Sequence, residues 1–353
     1  MDNSLVKTDV LILGQGLTGS LLSYRLSKAG VEHLVVDRGH VRSSSVAAAG
    51  IVNPVTGRRF VKTWHIDELL QGLEVYKELE ELLNVTLHKE LIVYRDLTET
   101  SALNQWDMRR TDDAYAPFMG QPKRDLDLGV QVPAIVGPTL RAAQVNLREF
   151  IRAYRILLQE NESLIEEEHA VDDAIFEDGF WRIGRFAARR IVDCTGAEAI
   201  KTNTWGKLPW RGTKGEAFRF SLADLPRDTA IKRRHFICPI GATDEVWLGG
   251  TNQDHYTTEF PSEDGRARLT EQASAFAIEV PKNAEALCAI RPTVNDRRPL
   301  VGQHPAKKGL WLCNGLGTKG TSLAPYCTAQ LLKTLMTDEP LDPDIDIANR
   351  FAD

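Results

Sequence analysis

Within the first forty residues a strand, a glycine-rich turn, a helix and a second strand ending in an acid follow one another without interruption. The run DVLILG at 9 to 14 is short, β-branched and Leu-rich, which suits a strand buried on both faces of a parallel sheet. Gly14, Gly16 and Gly19 then stand in G-x-G-x-x-G spacing. The next segment, LTGSLLSYRLSKAG, has apolar residues at helical intervals, and Gly30 supplies a helix stop before LVVD forms the second strand. In such a unit the first glycine permits a tight turn, the second lets backbone N–H groups approach a pyrophosphate, and the third lets the helix pack on the strand. The partial positive charge of the helix start faces the phosphates. Asp37 ends the second strand about twenty residues on, where a carboxylate can accept both hydroxyls of a ribose. Gly14, Gln15, Gly16, Leu17, Thr18, Gly19 and Asp37 are thus expected to hold a dinucleotide. The motif alone does not separate FAD from NAD.

The remainder of the chain bounds the class of protein. Its 353 residues allow about two domains at ~150 residues each, and 42% hydrophobic residues suffice for sizeable cores. With 43 Lys and Arg against 49 Asp and Glu, the net charge of -6 does not favour polyanions, so no nucleic-acid partner is expected. The five cysteines form no C-x-x-C pair and share no metal-ligand spacing with the eight histidines, which predicts reduced thiols, no metal and a cytoplasmic location. No stretch reaches the ~18 apolar residues of a membrane span, and the N-terminus has no signal-peptide pattern.

A second glycine turn lies near the other end. GLWLCN reads as a strand, GLGTKG as a turn and TSLAPYCTAQLL as the helix it opens, so several N–H donors and a helix dipole converge. Such a point can stabilise the negative charge on the pyrimidine edge of a reduced flavin. Gly315, Leu316, Gly317, Thr318, Lys319, Gly320 and Thr321 are the candidates there.

After Asp37 the loop RGHVRSSSVAAAGIVNPVTGRR, the segment RRIVDCTGAEA at 189 to 199, the run RPTVNDRRPLVG at 291 to 302 and the C-terminal block resemble the D-amino acid oxidase family of flavoproteins, to which glycine and sarcosine oxidases belong. The resemblance spans nearly the whole chain. It implies a Rossmann-like, glutathione-reductase-type FAD-binding domain from 1–85, 141–204 and 288–353, with an inserted α+β substrate domain, on an antiparallel or mixed sheet, from 86–140 and 205–287. It implies non-covalent FAD in contact with Arg38, Ser43, Ser44, Ser45, Ala49, Gly50, Val171, Thr195 and Gly196. It also makes Arg291 the residue that grips a substrate carboxylate, a role its planar guanidinium suits. Ile51, Asn53, Arg58, Trp64, Phe236, Trp247 and Lys319 become substrate-side candidates. Two of these depart from the family: Phe236 stands where D-amino acid oxidase has a tyrosine, and Trp247 where sarcosine oxidase has a lysine associated with oxygen activation.

The expected activity is oxidation of the C–N bond of a small amino or imino acid, with dioxygen or a quinone as electron acceptor. Two alternatives stay open. The C-terminal block NGLGTKGTSLAP also resembles the flavin domain of the bifunctional wobble-uridine modification protein of transfer RNA, and a flavoprotein that binds FAD without turnover fits the cofactor motifs equally. An NAD-dependent dehydrogenase fits the first forty residues but leaves the second glycine turn unexplained.

Overall fold

In a computed structural model that describes residues 5–40 and 43–351, the apolar run of β1 (Val6–Leu13) lies at the centre of a parallel sheet, with Val10, Leu11, Ile12 and Leu13 almost wholly buried. Strands and helices are numbered in chain order through two compact units. The first unit comprises Met1–Val46, Phe150–Thr213 and Ile290–Asp353. Here β1 pairs in parallel with β2 (His33–Val36) on one edge and β12 (Phe186–Asp193) on the other. Beyond β2 lies the parallel β9 (Leu164–Ile165). The outer edge of β12 is shared. Its first half pairs antiparallel with β11 (Phe180–Ile183), which is followed by β10 (Ile175–Glu177). Its second half pairs in parallel with β19 (Leu310–Asn314), to which β18 (Leu300–Gln303) adds antiparallel. Strands about 300 residues apart in sequence therefore share one sheet, with a core that includes Leu11, Trp181, Phe186, Trp205 and Ile347.

Three helices cover this sheet: α1 (Leu17–Lys28), α6 (Leu147–Glu160) and α8 (Gly320–Thr337). Arg25 of α1 donates to Thr328 Oγ1 and to Pro325 O of α8, each at 3.1 Å, which ties the two glycine turns' helices together. β9 spans only two residues, because the glutamates after it turn outward to ion pairs: Glu166 to Arg155, Glu167 to Arg185 and Glu168 to Arg38. The acidic C-terminal segment contributes to the core. Its alternation of Asp and Ile puts Ile345 and Ile347 fully in the core, and Asp346 bridges to Val301.

The second unit, Ala47–Glu149 with Lys214–Ala289, holds a mixed sheet in the order β17-β13-β16-β15-β14-β6-β8-β3. Its strands are β3 (Ile51–Val52), β6 (His88–Asp96), β7 (Lys123–Arg124, beside β8), β8 (Ile135–Val145), β13 (Thr213–Ser221), β14 (Thr229–Lys232), β15 (Phe236–Pro239), β16 (Glu245–Gly249) and β17 (Glu285–Arg291). Within it β14 and β6 pair in parallel. One face packs under α7 (Glu263–Ser274) through Phe218, Ile231, Ile237, Leu248, Leu269 and Phe276. The opposite face carries Leu91, Val93, Ala217, Ala230, Cys238 and Trp247. A hairpin of β4 (Val55–Thr56) and β5 (Val61–Lys62), helices α3 (Ile66–Gln71), α4 (Glu74–Leu83) and α5 (Thr100–Arg110), and the one-turn α2 (Ser44–Ala47) complete the regular structure.

These units divide the chain differently from the domain boundaries expected above. Residues 47–85 and 141–149 fall in the second unit, since Ile51 and Val52 pair with Gln144 and Ala143 of β8. Residues 205–213 fall in the first, where Trp205 Nε1 donates to Asp193 Oδ2 at 2.8 Å and Arg211 N to Thr293 O at 2.9 Å. Among the described residues no helix is long and apolar enough to cross a membrane. Burial of Ile347 makes a direct test of the C-terminal segment. Ile347→Ala should destabilise the protein by about 2–5 kcal/mol through lost transfer energy and a residual cavity, seen as an earlier denaturation midpoint, whereas a surface tail would leave the midpoint unchanged.

Candidate functional site

The carboxyl ends of β1, β2, β12 and β19, which run in one direction, meet in the first unit. That end of a parallel sheet is where ligands of doubly wound folds sit. Gly14 follows β1 with φ of +95°, and an added Cβ there would come within 2.8 Å of Cys194 O at the end of β12. Gly19 is held more tightly still, since its Cβ would lie 1.9 Å from Gly14 O. Gly16 differs. The nearest atom to a Cβ at this position is Ser45 Oγ at 3.4 Å, so the protein's own atoms do not demand glycine there.

Gly16 is also the N-cap of α1 and has no side chain of its own with which to cap that helix start. One first-turn donor is met from the following loop, as Ser45 Oγ accepts from Leu17 N at 3.0 Å. Ser44 opens the short α2 beside it, while Ser43 N donates to His40 O at 3.2 Å. A helix start whose N-cap is a glycine with open Cβ space is the geometry that receives an anionic phosphate.

Asp37 is anchored from four sides. Its Oδ2 accepts from Gln15 N at 2.8 Å, and its Oδ1 accepts from Gly39 N at 2.7 Å and Arg155 Nη1 at 2.9 Å. His40 Nε2 stands 3.6 Å from Oδ1 and 3.0 Å from Gln15 O. Burial, opposed by Asp37, pushes the His40 imidazole down. Arg155 also reaches Gln15 Oε1 at 3.1 Å, and Gln15 Nε2 donates to Ser20 Oγ and Ile151 O. A carboxylate has about four lone-pair sites, so capacity remains for hydroxyl donors.

Around this centre the other expected residues fall as follows. Arg38 is exposed and pairs with Glu168 and Glu198, so its guanidinium is held by glutamates. Val171, buried, opens a 3-10 turn. Thr195 donates through N and Oγ1 to the buried Asp193, whose carboxyl is pushed up by burial. Gly196 O accepts from Asn314 Nδ2 at 2.9 Å, and Asn314 Oδ1 accepts from Gly315 N, which links the ends of β12 and β19 to the second glycine turn. In that turn Leu316 is buried, Thr318 exposed and Lys319 half-buried, its ammonium pushed down by burial and then by Arg297 and Arg298. Gly320 and Thr321 begin α8. Arg291 ends β17, and the residues after it brace the turn: Pro292 O accepts from Gly317 N at 3.2 Å, and Thr213 and Thr293 hydroxyls join at 2.7 Å.

The second unit holds the other candidates. Ala49 and Gly50 lie there, with Ala49 O accepting from Gln144 Nε2 at 2.9 Å and a Cβ at Gly50 coming within 1.8 Å of Val145 O. Ile51, Phe236 and Trp247 share one side of the sheet. Trp247 Nε1 already donates to Ala47 O, so the indole serves as a wall. Asn53 Oδ1 accepts from Val55 N, Trp64 packs edge-on against His65, and Arg58 is exposed at the β4–β5 turn. Arg155 was not foreseen. Its signal is a charge one turn after the buried Ile151 and next to the buried Tyr154, on the side of an amphipathic helix that should be apolar.

A parallel sheet with a glycine turn, a helix start capped by glycine and an acid just after the second strand defines a dinucleotide-binding protein. Residues 9–334 match the family described as FAD dependent oxidoreductase (DAO), and the chain belongs to that family; its cofactor is FAD. The uncharacterized oxidoreductase YurR of Bacillus subtilis (strain 168) is 25% identical over 378 residues, covering 94% of this chain and 98% of that protein. The tRNA 5-methylaminomethyl-2-thiouridine biosynthesis bifunctional protein MnmC of Paracidovorax citrulli is 29% identical over 125 residues, 30% of this chain and 20% of that protein. Glycine oxidase from Bacillus cereus ATCC 14579 superposes with a TM-score of 0.80 at 18% identity over 98% of this chain and 99% of that one, a likeness of fold.

The contrast between two glycines separates folding from cofactor binding. Gly19→Ala should lower the thermal stability of the protein stripped of FAD, because its Cβ meets Gly14 O. Gly16→Val should leave the stripped protein's stability nearly unchanged while abolishing flavin uptake, read as loss of yellow colour and of FAD-induced stabilisation. Normal flavin content in Gly16→Val would exclude this turn as the phosphate site.

Proposed function

We propose that the protein oxidises the C–N bond of a small amino or imino acid bearing a carboxylate, with non-covalently held FAD. Gly14, Gln15, Gly16, Leu17, Thr18 and Gly19 receive the pyrophosphate, aided by Ser43, Ser44 and Ser45; Asp37, fixed by Arg155, holds the ribose, and Val171 the adenine. Thr195, Gly196 and the turn from Gly315 to Thr321 line the rest of the cofactor, with Arg38, Ala49 and Gly50 as further contacts. Bound there, FAD supplies a hydride acceptor. The chain's own task is to position the substrate and to favour negative charge at the start of α8, where the helix dipole and the half-buried Lys319 stand. Cys288, half-buried and donating to Glu259 O at 3.2 Å, is assigned no bond to the flavin.

What supports the amino acid substrate is the lacing of Arg291 to the second glycine turn. One and two residues downstream of β17's end the chain is tied to Gly317 through Pro292 O and to Thr213 through Thr293 Oγ1, so Arg291 is carried on a braced segment. A planar fork there grips a carboxylate bidentately and holds the adjacent carbon in one orientation. The names of relatives agree in kind: one is a glycine oxidase, and the transfer RNA enzyme's name includes an alkylaminomethyl group. Ile51, Asn53, Trp64, Phe236 and Trp247 are assigned to the substrate side. Dioxygen or a quinone reoxidises the cofactor, which mixing the reduced protein with air-saturated buffer separates.

Arg291→Met should keep FAD yet weaken transition-state stabilisation for a carboxylate substrate by about 2–5 kcal/mol, a factor of roughly thirty to several thousand in kcat/KM. Anaerobic flavin bleaching by D- and L-amino acids and N-methylglycine measures this. A matched amine without the carboxylate should react slowly and be indifferent to the change; equal losses for both would remove Arg291 from the substrate site.

A further inference from the structure

The sheet of the second unit separates its charges by face. Asp96, at the end of β6, forms an ion pair of 3.4 Å with Arg233, whose guanidinium lies over Phe276 on the side covered by α7. One residue earlier on each strand, Arg95 and Lys232 are direct cross-strand partners pointing the other way, to the side that carries Val93, Ala230 and Trp247. The cross-strand row there reads Gly137, Arg95, Lys232, Phe236, Gly249 and Ala217, with no acid in it.

Arg95 is 8% exposed, and its guanidinium donates to Val55 O at 3.2 Å and Gly57 O at 2.8 Å over the ring of Phe60. Lys232, half-buried, donates to Arg234 O at 2.8 Å and lies 4.4 Å over the Phe236 ring. Burial pushes Arg95 down to about 10, and burial together with Arg95 pushes Lys232 down to about 7; no carboxylate among the described residues offsets either shift. Two neighbouring cations withdrawn from water repel each other and lose hydration. The carbonyls of Val55 and Gly57 explain Arg95 as a clamp on the β4–β5 hairpin. They do not explain a lysine beside it, where an apolar side chain would avoid both costs.

We infer that Arg95 and Lys232 form a carboxylate subsite beside Phe236, which makes the preferred substrate an amino or imino acid carrying a second acid group, such as a dicarboxylic or N-carboxyalkyl amino acid. This rests on the proposed amino acid oxidation and on the second unit's binding the substrate. A carboxylate joining the pair would accept charge-assisted hydrogen bonds from both cations and restore the missing counter-charge. Phe236, which has no hydroxyl, would add a wall to the subsite and no hydrogen bond.

The test uses the FAD-loaded protein and matched substrates: N-(carboxymethyl)glycine against N-methylglycine, and aspartate against asparagine in both hands. Wild type should favour the acidic member of a pair. Lys232→Met should lower kcat/KM for the acidic member by roughly tenfold or more, the scale of one hydrogen bond to a charged group, and leave the neutral member within twofold. Lys232→Arg should restore the preference. Arg95→Gln is the weaker probe, because it also frees the hairpin carbonyls. Equal losses for both members, or an unchanged preference in Lys232→Met, overturn the subsite. If no amino acid reduces the flavin, the proposed reaction fails, and glutarate then decides the subsite separately: it should raise the melting temperature of wild type and not of Lys232→Met, and no shift in wild type overturns it.

Discussion

The carboxylate of Asp37 is the constraint on which the cofactor half depends. It directly follows β2, yet its oxygens reach back to Gln15 N in the glycine turn, forward to Gly39 N and across to Arg155 on α6. These charge-assisted bonds fix the turn, the loop after β2 and a helix from much later in the chain against one another. Gln15 completes the lock, since its side chain joins Ser20, Ile151 O and Arg155 while fully buried. The turn's glycines then differ: Gly14 and Gly19 are required by the protein's own packing, whereas that packing does not require a glycine at position 16.

Charge is treated quite differently at two places in the second unit. Lys214 and Glu216, both nearly inaccessible, form an ion pair at 2.9 Å. Glu216 also accepts from Ser262 N at 2.7 Å and Ser262 Oγ at 2.9 Å, while Ser262 caps α7 by accepting from Gly265 N. A buried pair with its lone pairs this well used fastens a helix start to β13, and loss of one partner would leave the other uncompensated. Arg95 is buried and Lys232 half-buried, and no carboxylate among the described residues offsets the burial of either. The same sheet thus neutralises a buried charge where the purpose is structural, which sharpens the contrast with the pair that it leaves without a counter-charge.

The parts of the fold legible in sequence were those whose determinants lie close together. The strand, turn, helix, strand and acid of the first forty residues needed only periodicity and glycine spacing, and β19, the second glycine turn and α8 were equally local. Boundaries between units were less legible. Whether 47–85 belongs with the cofactor half depends on Ile51 and Val52 pairing with β8 some ninety residues later, and no local pattern carries that information. The burial of Ile345 and Ile347 is obscured in sequence by the neighbouring acids Asp342, Asp344 and Asp346, although the alternation itself is that of a half-buried extended segment.

The cations on the second sheet were illegible for a further reason. Along β6, KELIVYRD places Arg95 two residues from Val93 and one from Asp96, and sequence alone assigns its natural partner to that neighbouring acid. The two-residue period of a strand forbids it, since adjacent side chains point to opposite faces. Lys232 becomes the neighbour of Arg95 only through the parallel register of β14 on β6, set by segments 137 residues apart. Asp96 is taken instead by Arg233, the residue next to Lys232, for the same geometric reason. A strand that alternates acid and base over two successive positions therefore produces one matched pair and one excess of positive charge, on opposite sides of a single sheet, and the excess falls on the side that carries Phe236 and Trp247.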